Sequence, residues 1–205
     1  MVAFPIVLTA HSSDFTRQGF SPMRRVNAAL FQSVAGVVES PNLWQFDSFD
    51  DSVGAAMGRM IEQADTVLLG RVSYEEWSGY WPNADPDHTF AAFINPVEKF
   101  VATTTLTNPL DWQNSTVIEG GLEDFVRSLK ASDGGNIVVC GSISVVRHLL
   151  FAGLLDTLTL MVHPVVAGTG KRLFEPTDPT TRLVLGDSQV TGAGNAILTY
   201  SLRPE

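Results

Sequence analysis

The stretch TVLLGRVSYEEW, residues 66–77, contains an apolar run that stops abruptly at a glycine and an arginine. The run at 67–69 shows no polar alternation, which is typical of a strand covered on both faces of its sheet. After Gly70 and Arg71, residues 73–80 show weak helical spacing. The stretch therefore predicts a buried strand, a tight turn and a helix, which is the repeating unit of a parallel α/β sheet.

The same alternation of apolar runs and helical patterns continues along the chain. A first strand is predicted at 26–38, in VNAALFQSVAGVV, with a bend at Gly36. Further strands are predicted at 66–69, 99–103, 115–118, 136–140 and 157–163, and helices at 48–65, 73–80, 90–94, 122–129 and 143–152. Residues 182–190 and 196–202 flank TGAGN as the strands of a β-hairpin do. These patterns predict an α/β three-layer sandwich with a mainly parallel central sheet and an antiparallel C-terminal hairpin.

The length of 205 residues predicts one domain, which we place at 23–205. Residues 1–22 fit no periodic pattern and lead into RQGFSPM, where a glycine and a proline lie close together. They are interpreted either as a poorly ordered N-terminal extension or as residues upstream of a true start at Met23. In both cases their loss is not expected to impair folding.

The chain has a net charge of −9 and one cysteine, Cys140. The negative charge argues against nucleic acid and anionic membranes as partners, since both are polyanions. One cysteine forms no intramolecular disulfide, and the four histidines (His11, His88, His148, His163) have no spacing typical of a metal site. No segment reaches the length of a membrane span. We therefore expect a cytoplasmic protein without a metal centre.

The turns after three of the predicted strands are built from glycine, hydroxyl side chains or arginine: GRVS at 70–73, TTT at 103–105 and GS at 141–142. A helix start has unpaired N–H groups and partial positive charge, so these turns predict an anion site at the carboxyl edge of the sheet. Arg71 adds a guanidinium group suited to phosphate. The structural alternative is that glycine and serine only shape the turns and that Arg71 pairs with a carboxylate such as Glu75.

Three segments together resemble the dihydrofolate-reductase-like family: LLGRVSYEEWSGYWP at 68–82, KFVATTTL at 99–106, and VVCGSISVVRHLLFAGLLDTLTLMVHPVVAGTGKRLF at 138–174. The resemblance is to the reductase domain of the bifunctional riboflavin-biosynthesis deaminase/reductase and its stand-alone relatives, and it extends over residues 24–202. It implies an NADPH-dependent oxidoreductase that transfers a hydride to a small heteroaromatic, pteridine-like or ribosylaminopyrimidine-like substrate. It also implies a homodimer.

The resemblance implies particular site residues. NADPH is expected to lie against the three turns, in contact with Gly70, Arg71, Val72, Ser73, Thr103, Thr104, Gly141, Ser142 and Ile143. In this comparison Arg71 favours NADPH over NADH, because NADPH carries an additional phosphate. The substrate is expected near Ser33 and Gly36 of the first strand and against the rings of Trp44 and Trp81.

The chain departs from the family at the first strand. Relatives have Ser-x-Asp-Gly where this chain has SVAG at 33–36, so Ala35 replaces a carboxylate on the substrate side. The remaining candidate proton donors are Glu39, Asp47 and Asp50, or a water held by Ser33, and the catalytic residue stays unassigned. A non-catalytic nucleotide-binding protein that retains the cofactor cleft is therefore the alternative to a reductase, and a purely structural module is a third possibility.

Overall fold

The computed structural model describes residues 23–202, so the extension predicted at 1–22 lies outside the described residues. The elements follow the predicted alternation of strands and helices. They are β1 (Val26–Ser33), α1 (Asp51–Glu62), β2 (Ala64–Gly70), α2 (Arg71–Ser78), α3 (Thr89–Ile94), β3 (Glu98–Ala102), β4 (Ser115–Val117), α4 (Leu122–Lys130), β5 (Asn136–Cys140), α5 (Ile143–Phe151), β6 (Thr157–His163), β7 (Leu183–Val190) and β8 (Ala196–Leu202).

The strands form one eight-stranded sheet in the order β4-β3-β2-β5-β1-β6-β8-β7. The strands from β4 to β6 in this order pair in parallel, while β8 runs antiparallel to β6 and β7 antiparallel to β8. The predicted mainly parallel sheet with an antiparallel C-terminal hairpin is thus confirmed. Because the parallel strands share one direction, their carboxyl ends lie along a single edge, where the connecting turns meet.

Helices cover both faces of the sheet, as the three-layer prediction requires. Successive residues of a strand point to opposite faces, and β5 shows this in its packing. Val139 joins a core with residues of α4 and α5 such as Val126 and Leu149. Val138 joins a second core with residues of α1, α2 and α3 such as Tyr74 and Ile94. Within residues 23–202, no helix has the length and apolarity needed to cross a membrane.

The prediction of a first strand running to residue 38 is wrong, because β1 ends at Ser33. The chain reverses there: Gly36 has a φ of +84° and its N–H donates to the Ser33 carbonyl at 2.8 Å. Such a φ is accessible to glycine without strain. After the turn Val37 pairs antiparallel with Arg172, so the loop after β6 returns to the end of β1.

A fully buried lysine closes the end of α3. The Nζ of Lys99 on β3 donates to the carbonyl oxygens of Ile94, Asn95 and Val97 at 3.0, 3.1 and 2.8 Å. It also lies 4.7 Å from the ring centre of Trp112. A buried ammonium group is stable only when it is hydrogen-bonded. Here the acceptors are the last carbonyl of α3, the carbonyl of its C-cap and one carbonyl in the segment that follows.

Candidate functional site

A cleft of about 1210 Å³ follows the carboxyl edge of the parallel strands. The turns that follow β2, β3 and β5 all contribute to its walls. The residues predicted to contact a cofactor all line it, namely Gly70, Arg71, Val72, Ser73, Thr103, Thr104, Gly141, Ser142 and Ile143. The structure therefore brings the three predicted turns to one cavity; their role toward a ligand stays a prediction.

A buried serine joins two of these turns. The hydroxyl oxygen of Ser142 accepts a hydrogen bond from the Gly70 N–H at 2.7 Å. It also lies 3.0 Å from the Cys140 carbonyl oxygen and 2.9 Å from the Ser73 hydroxyl oxygen. A hydroxyl has one proton, so all three contacts are satisfied when Ser142 donates to Cys140 and Ser73 donates to Ser142. Both serine hydroxyls thus serve the protein itself.

The glycines of these turns are required by internal packing. A Cβ on Gly70 would lie 3.3 Å from Cγ2 of Val145, at the start of α5. A Cβ on Gly141, whose φ is +61°, would lie 2.7 Å from Cζ2 of Trp77. The sequence left open whether glycine at these positions shapes the turns. The structure shows that glycine allows the turns after β2 and β5 to approach α5 and α2.

The helices that begin at these turns present their first-turn amides without a side-chain cap. Neither Gly70, the N-cap of α2, nor Ser142, the N-cap of α5, makes a side-chain capping hydrogen bond. Uncapped N–H groups and the helix dipole favour an anion at such positions. The starts of α2 and α5 therefore add backbone N–H donors to the charged and hydroxyl side chains of the cleft wall.

Arg71 lies at the mouth of the cleft, where its guanidinium contacts Glu75 at 2.6 Å. The two side chains are 44% and 46% exposed. An exposed pair of this kind contributes little stability, so an anion that binds nearby competes with Glu75 at small cost. The structural alternative considered for Arg71 is thus the arrangement seen here.

The turn after β3 is organised by its own threonine. The hydroxyl oxygen of Thr103 accepts hydrogen bonds from the N–H groups of Thr105 and Leu106, both at 3.1 Å. Such a side-chain turn fixes the loop that carries the exposed Thr104. Thr104, Arg71 and the uncapped starts of α2 and α5 together form a set of hydrogen-bond donors suited to an anion.

Of the residues predicted to contact a substrate, Trp81 lines the cleft. Ser33, Gly36 and Trp44 are not among the described residues of its wall. Ser33 accepts from the Val37 N–H at 3.1 Å, and the Trp44 ring donates to the Glu39 carbonyl at 2.9 Å. These residues shape the loop that follows β1.

The candidate proton donors are held as carboxylates or lie away from the cleft. Glu39 lines the cleft, but the Lys171 ammonium at 2.8 Å holds its pKa below the ordinary value. The hydroxyl of Thr191 and the Val53 N–H lower the pKa of Asp50 to about 2. Asp50 caps α1, accepting from the Val53 N–H at 2.9 Å. Asp47 is exposed and is not among the described residues of the wall.

His163, at the end of β6, is fully buried behind the loop that follows β1. Its Nδ1 lies 2.8 Å from the Ser48 hydroxyl oxygen and its Nε2 lies 3.0 Å from the Gln45 amide nitrogen. Ser48 donates to the Gln45 carbonyl, so Nδ1 carries the proton and Nε2 accepts. Burial lowers the pKa of His163. The imidazole is therefore a neutral structural residue.

Sequence reasoning missed the apolar residues of the wall. They lie on β1, α1 and β6 and in the loop before α1: Ala29, Phe31, Phe49, Met57, Met60 and Met161. In the sequence, Met57 and Met60 have the helical spacing of ordinary core residues. The three-dimensional structure is needed to show that Met57 and Met60 face a cavity, because this depends on how α1 packs beside β1.

Residues 24–197 match the family described as the RibD C-terminal domain. The uncharacterized protein YyaP of Bacillus subtilis (strain 168) is 32% identical over 143 residues, which cover 68% of this chain and 75% of that protein. A solved structure ascribed to a riboflavin biosynthesis protein of Shewanella sp. PV-4 has a TM-score of 0.68 at 17% identity, covering 88% of this chain and 99% of the other. A dihydrofolate reductase from Enterococcus faecalis, solved with NADP(H), has a TM-score of 0.57 at 16% identity, covering 88% and 97%. This chain, with its dihydrofolate-reductase-like fold, belongs to the RibD C-terminal domain family.

Proposed function

We propose that this protein is an NADPH-dependent reductase of a small cyclic substrate. The observation that carries the proposal is the composition of the cleft: backbone donors and Arg71 at the turns after β2, β3 and β5, and a continuous apolar wall from β1, α1 and β6. A dinucleotide needs an anion site for its phosphates and a dry surface where its ring meets the acceptor. Both surfaces belong to one cavity.

The roles of the residues follow from their placement. The first-turn amides of α2 and α5 would hold the pyrophosphate, with Arg71 and Thr104 near the additional phosphate that distinguishes NADPH. NADPH would supply the hydride. Ser142 would keep the two turns at a fixed separation, since it bonds to both. Trp77, which touches Gly141, would exclude water between the two ends of the cleft.

The names of similar proteins agree with this proposal. The Enterococcus faecalis enzyme was solved with NADP(H), and a similar solved protein from Saccharomyces cerevisiae is a riboflavin biosynthesis reductase. Their identities to this chain are 16% and 12%, and similarity at this level shows a common fold only. The evidence for a bound dinucleotide therefore comes from the turns after β2, β3 and β5.

A fluorescence titration with NADPH and, separately, NADH tests the proposal, since Trp77 and Trp81 line the cleft. We expect saturable binding with a preference for NADPH. Binding followed by oxidation of NADPH with an acceptor supports the reductase. Binding without turnover across acceptors of all classes points to the non-catalytic nucleotide-binding protein, and no binding of either dinucleotide contradicts both.

We also propose that the protein pairs as a homodimer through its terminal hairpin. Strand β7 is one of the two edge strands of the described sheet, and seven of its eight residues are exposed, including Val184 and Leu185. An uncovered strand edge is prone to pair with another chain. Light scattering at matched concentrations should give a dimer for the protein and a monomer for Leu185→Lys. Val166→Lys, at a similarly exposed apolar site, is the control and should remain dimeric.

A further inference from the structure

The three elements that form the inner wall of the cleft contribute only apolar side chains to it. Within the described chain, β1 contributes Ala29, Leu30 and Phe31, α1 contributes Met57 and Met60, and β6 contributes Met161. By contrast, the charged and hydroxyl side chains of the wall come from the turns after the other strands, from the loops at 39–42 and 171–175, and from four further positions: Glu76 of α2, His88 at the start of α3, and Ser144 and Arg147 of α5. The cleft thus has a polar end and an apolar end.

The apolar end is a connected surface on the α1 side of the sheet. Met161, Phe31, Ala29 and Met57 pack in one cluster, and Met161 is 1% exposed. The ring of Phe31 meets that of Phe49 edge-on, with centres 5.9 Å apart. The apolar end is therefore one continuous surface of aliphatic, methionine and aromatic side chains.

Aromatic rings extend this surface toward the turn after β5. Trp81 and Phe90 lie with their ring centres 4.9 Å apart, and Trp77 lies 5.7 Å from Phe90. All three line the cleft. The edge-to-face arrangement is the preferred one for aromatic neighbours. These three rings therefore form a well-packed wall beside the apolar end.

Three polar side chains beside α1 and the ends of β1 and β6, namely Asp50, Ser33 and His163, already have partners within the protein. Asp50 caps α1 and accepts from the Ala193 N–H at 3.1 Å, and His163 bonds to Gln45 and Ser48. Ser33 accepts from Val37, and Ala35 has no polar side chain. A heterocycle rich in N–H and C=O groups would lose its water here without gaining partners, which is unfavourable.

An uncharged flat ring with two carbonyl acceptors and no N–H groups has a smaller penalty of this kind. Its burial against aromatic and methionine side chains is favourable, and methionine adapts to irregular shapes and makes attractive contacts between sulfur and rings. We propose that the substrate is a flat, uncharged conjugated carbonyl compound of the quinone class, bound between α1 and the ends of β1 and β6. This rests on the proposed reductase function.

A quinone also removes the need for a buried acid. Hydride transfer to one quinone oxygen would break a C–H bond of the reduced nicotinamide and form an O–H bond. The dinucleotide would be oxidised by two electrons, the quinone would be reduced by two electrons, and the second quinone oxygen would be left as a phenolate. The phenolate then takes one proton from water to give the hydroquinone. Since a phenolate oxygen is a stable anion compared with an alkoxide, this proton is not needed at the moment of hydride transfer. Glu39 and Asp50 can therefore stay ionised.

The test is a binding titration in the absence of dinucleotide, with tryptophan fluorescence as the readout. The probes are methyl-naphthoquinone, an uncharged pterin and uracil. We expect saturable binding of the naphthoquinone and binding of the pterin and uracil at least about tenfold weaker, because the pocket leaves their polar groups without partners. Tighter binding of the pterin or uracil than of the naphthoquinone would overturn the proposal.

Substitutions at Met57 test whether the naphthoquinone binds at the apolar end of the cleft. Met57→Gln should weaken naphthoquinone binding about five- to tenfold, whereas Met57→Leu should retain it. Met23→Gln is the matched control, since Met23 is 70% exposed and is not among the described residues of the cleft. Equal effects of Met57→Gln and Met23→Gln would overturn the proposed pocket. If NADPH does not bind in its separate titration, the proposed reductase function is contradicted. The naphthoquinone titration still decides, independently, whether the apolar pocket binds a flat ring.

Discussion

The hydroxyl oxygen of Ser142 lies 2.7 Å from the backbone nitrogen of Gly70, and this contact joins the turn after β5 to the turn after β2. The two strands are neighbours in the sheet. The bond therefore sets how far apart the starts of α2 and α5 lie at the cleft. Any ligand that bridges both helix starts depends on this distance.

Ser142→Ala leaves the Gly70 N–H buried without an acceptor. We expect a loss of about 1 to 3 kcal/mol in the free energy of unfolding and weaker NADPH binding. Urea unfolding and fluorescence titration measure the two effects. Ser128→Ala is the control, because Ser128 lies exposed on α4 and is not among the described residues of the cleft wall. Unchanged stability in Ser142→Ala would show that the bond does not hold the turns.

Gly141 and Gly153 form a matched pair. Both have positive φ, +61° and +70°, but a Cβ meets Trp77 at 2.7 Å in the first case and nothing within 4 Å in the second. Gly153→Ala should cost about 1 kcal/mol from the backbone alone. Gly141→Ala should cost at least about 1 kcal/mol more, because Trp77 must also move. Thermal and urea unfolding compare them, and equal losses would contradict the packing role of Gly141.

Arg71 is expected to recognise the phosphate that distinguishes NADPH. Arg71→Gln should lower NADPH affinity by about 1 to 3 kcal/mol and NADH affinity much less. Glu75→Gln removes the present partner of Arg71 and should raise NADPH affinity by about twofold. Titration of each variant with both dinucleotides measures the preference. Equal losses for NADPH and NADH in Arg71→Gln would exclude this role.

Asp50 makes stability depend on pH in the acid range. Its pKa is lowered from the ordinary 3.8 to about 2 by the Thr191 hydroxyl and the Val53 N–H. A carboxyl group with a lowered folded-state pKa stabilises the protein above the ordinary pKa, and this stabilisation is lost as pH falls. We expect the loss between pH 3.8 and about 2.

Asp50→Asn should flatten the stability profile in this range, and Asp47→Asn, at an exposed position, should not. Urea unfolding at a series of pH values compares the two variants with the unmodified protein. A profile that stays steep in Asp50→Asn would assign the acid sensitivity to other carboxyl groups.

Lys99 is expected to stabilise the end of α3. Lys99→Met keeps most of the side-chain volume but removes the ammonium donor of the Ile94 and Val97 carbonyl oxygens. The Asn95 carbonyl oxygen would keep its second donor, the Gln113 amide. The expected loss is about 2 to 3 kcal/mol in the free energy of unfolding. Lys171→Met is the control, since Lys171 is exposed and pairs with Glu39 at the surface. Similar small losses of unfolding free energy in both variants would mean that the hydrogen bonds of Lys99 contribute little net stability.

The sequence predicted the fold well because its signals are local. The apolar run before Gly70 and the alternation of strands and helices each depend on residues close together in the chain. The turns at the carboxyl edge were also found, since glycine and hydroxyl residues follow the strands directly. What the sequence could not supply was the reason for the glycines, because Val145 and Trp77 approach them from other elements.

The substrate side was harder to predict because it depends on distant contacts. The end of β1 depends on Arg172, which pairs with Val37 from far along the chain. Met57 and Met60 have the spacing of core residues whether they face a cavity or a packed interior. Lys99 likewise lies in a strand pattern that does not indicate its burial. Local patterns specify elements, while the cavity arises from how the elements are placed.

The division of the cleft between different elements has a consequence for how such proteins diverge. Met57, Met60, Phe31 and Met161 form one end, and the turns near Gly70 and Gly141 form the other. A mutant library confined to the first set would explore new acceptors while every nucleotide-facing turn keeps its sequence. Directed evolution could therefore change the substrate of this fold with a few substitutions. Natural paralogues could acquire new metabolic roles through substitutions at the same positions.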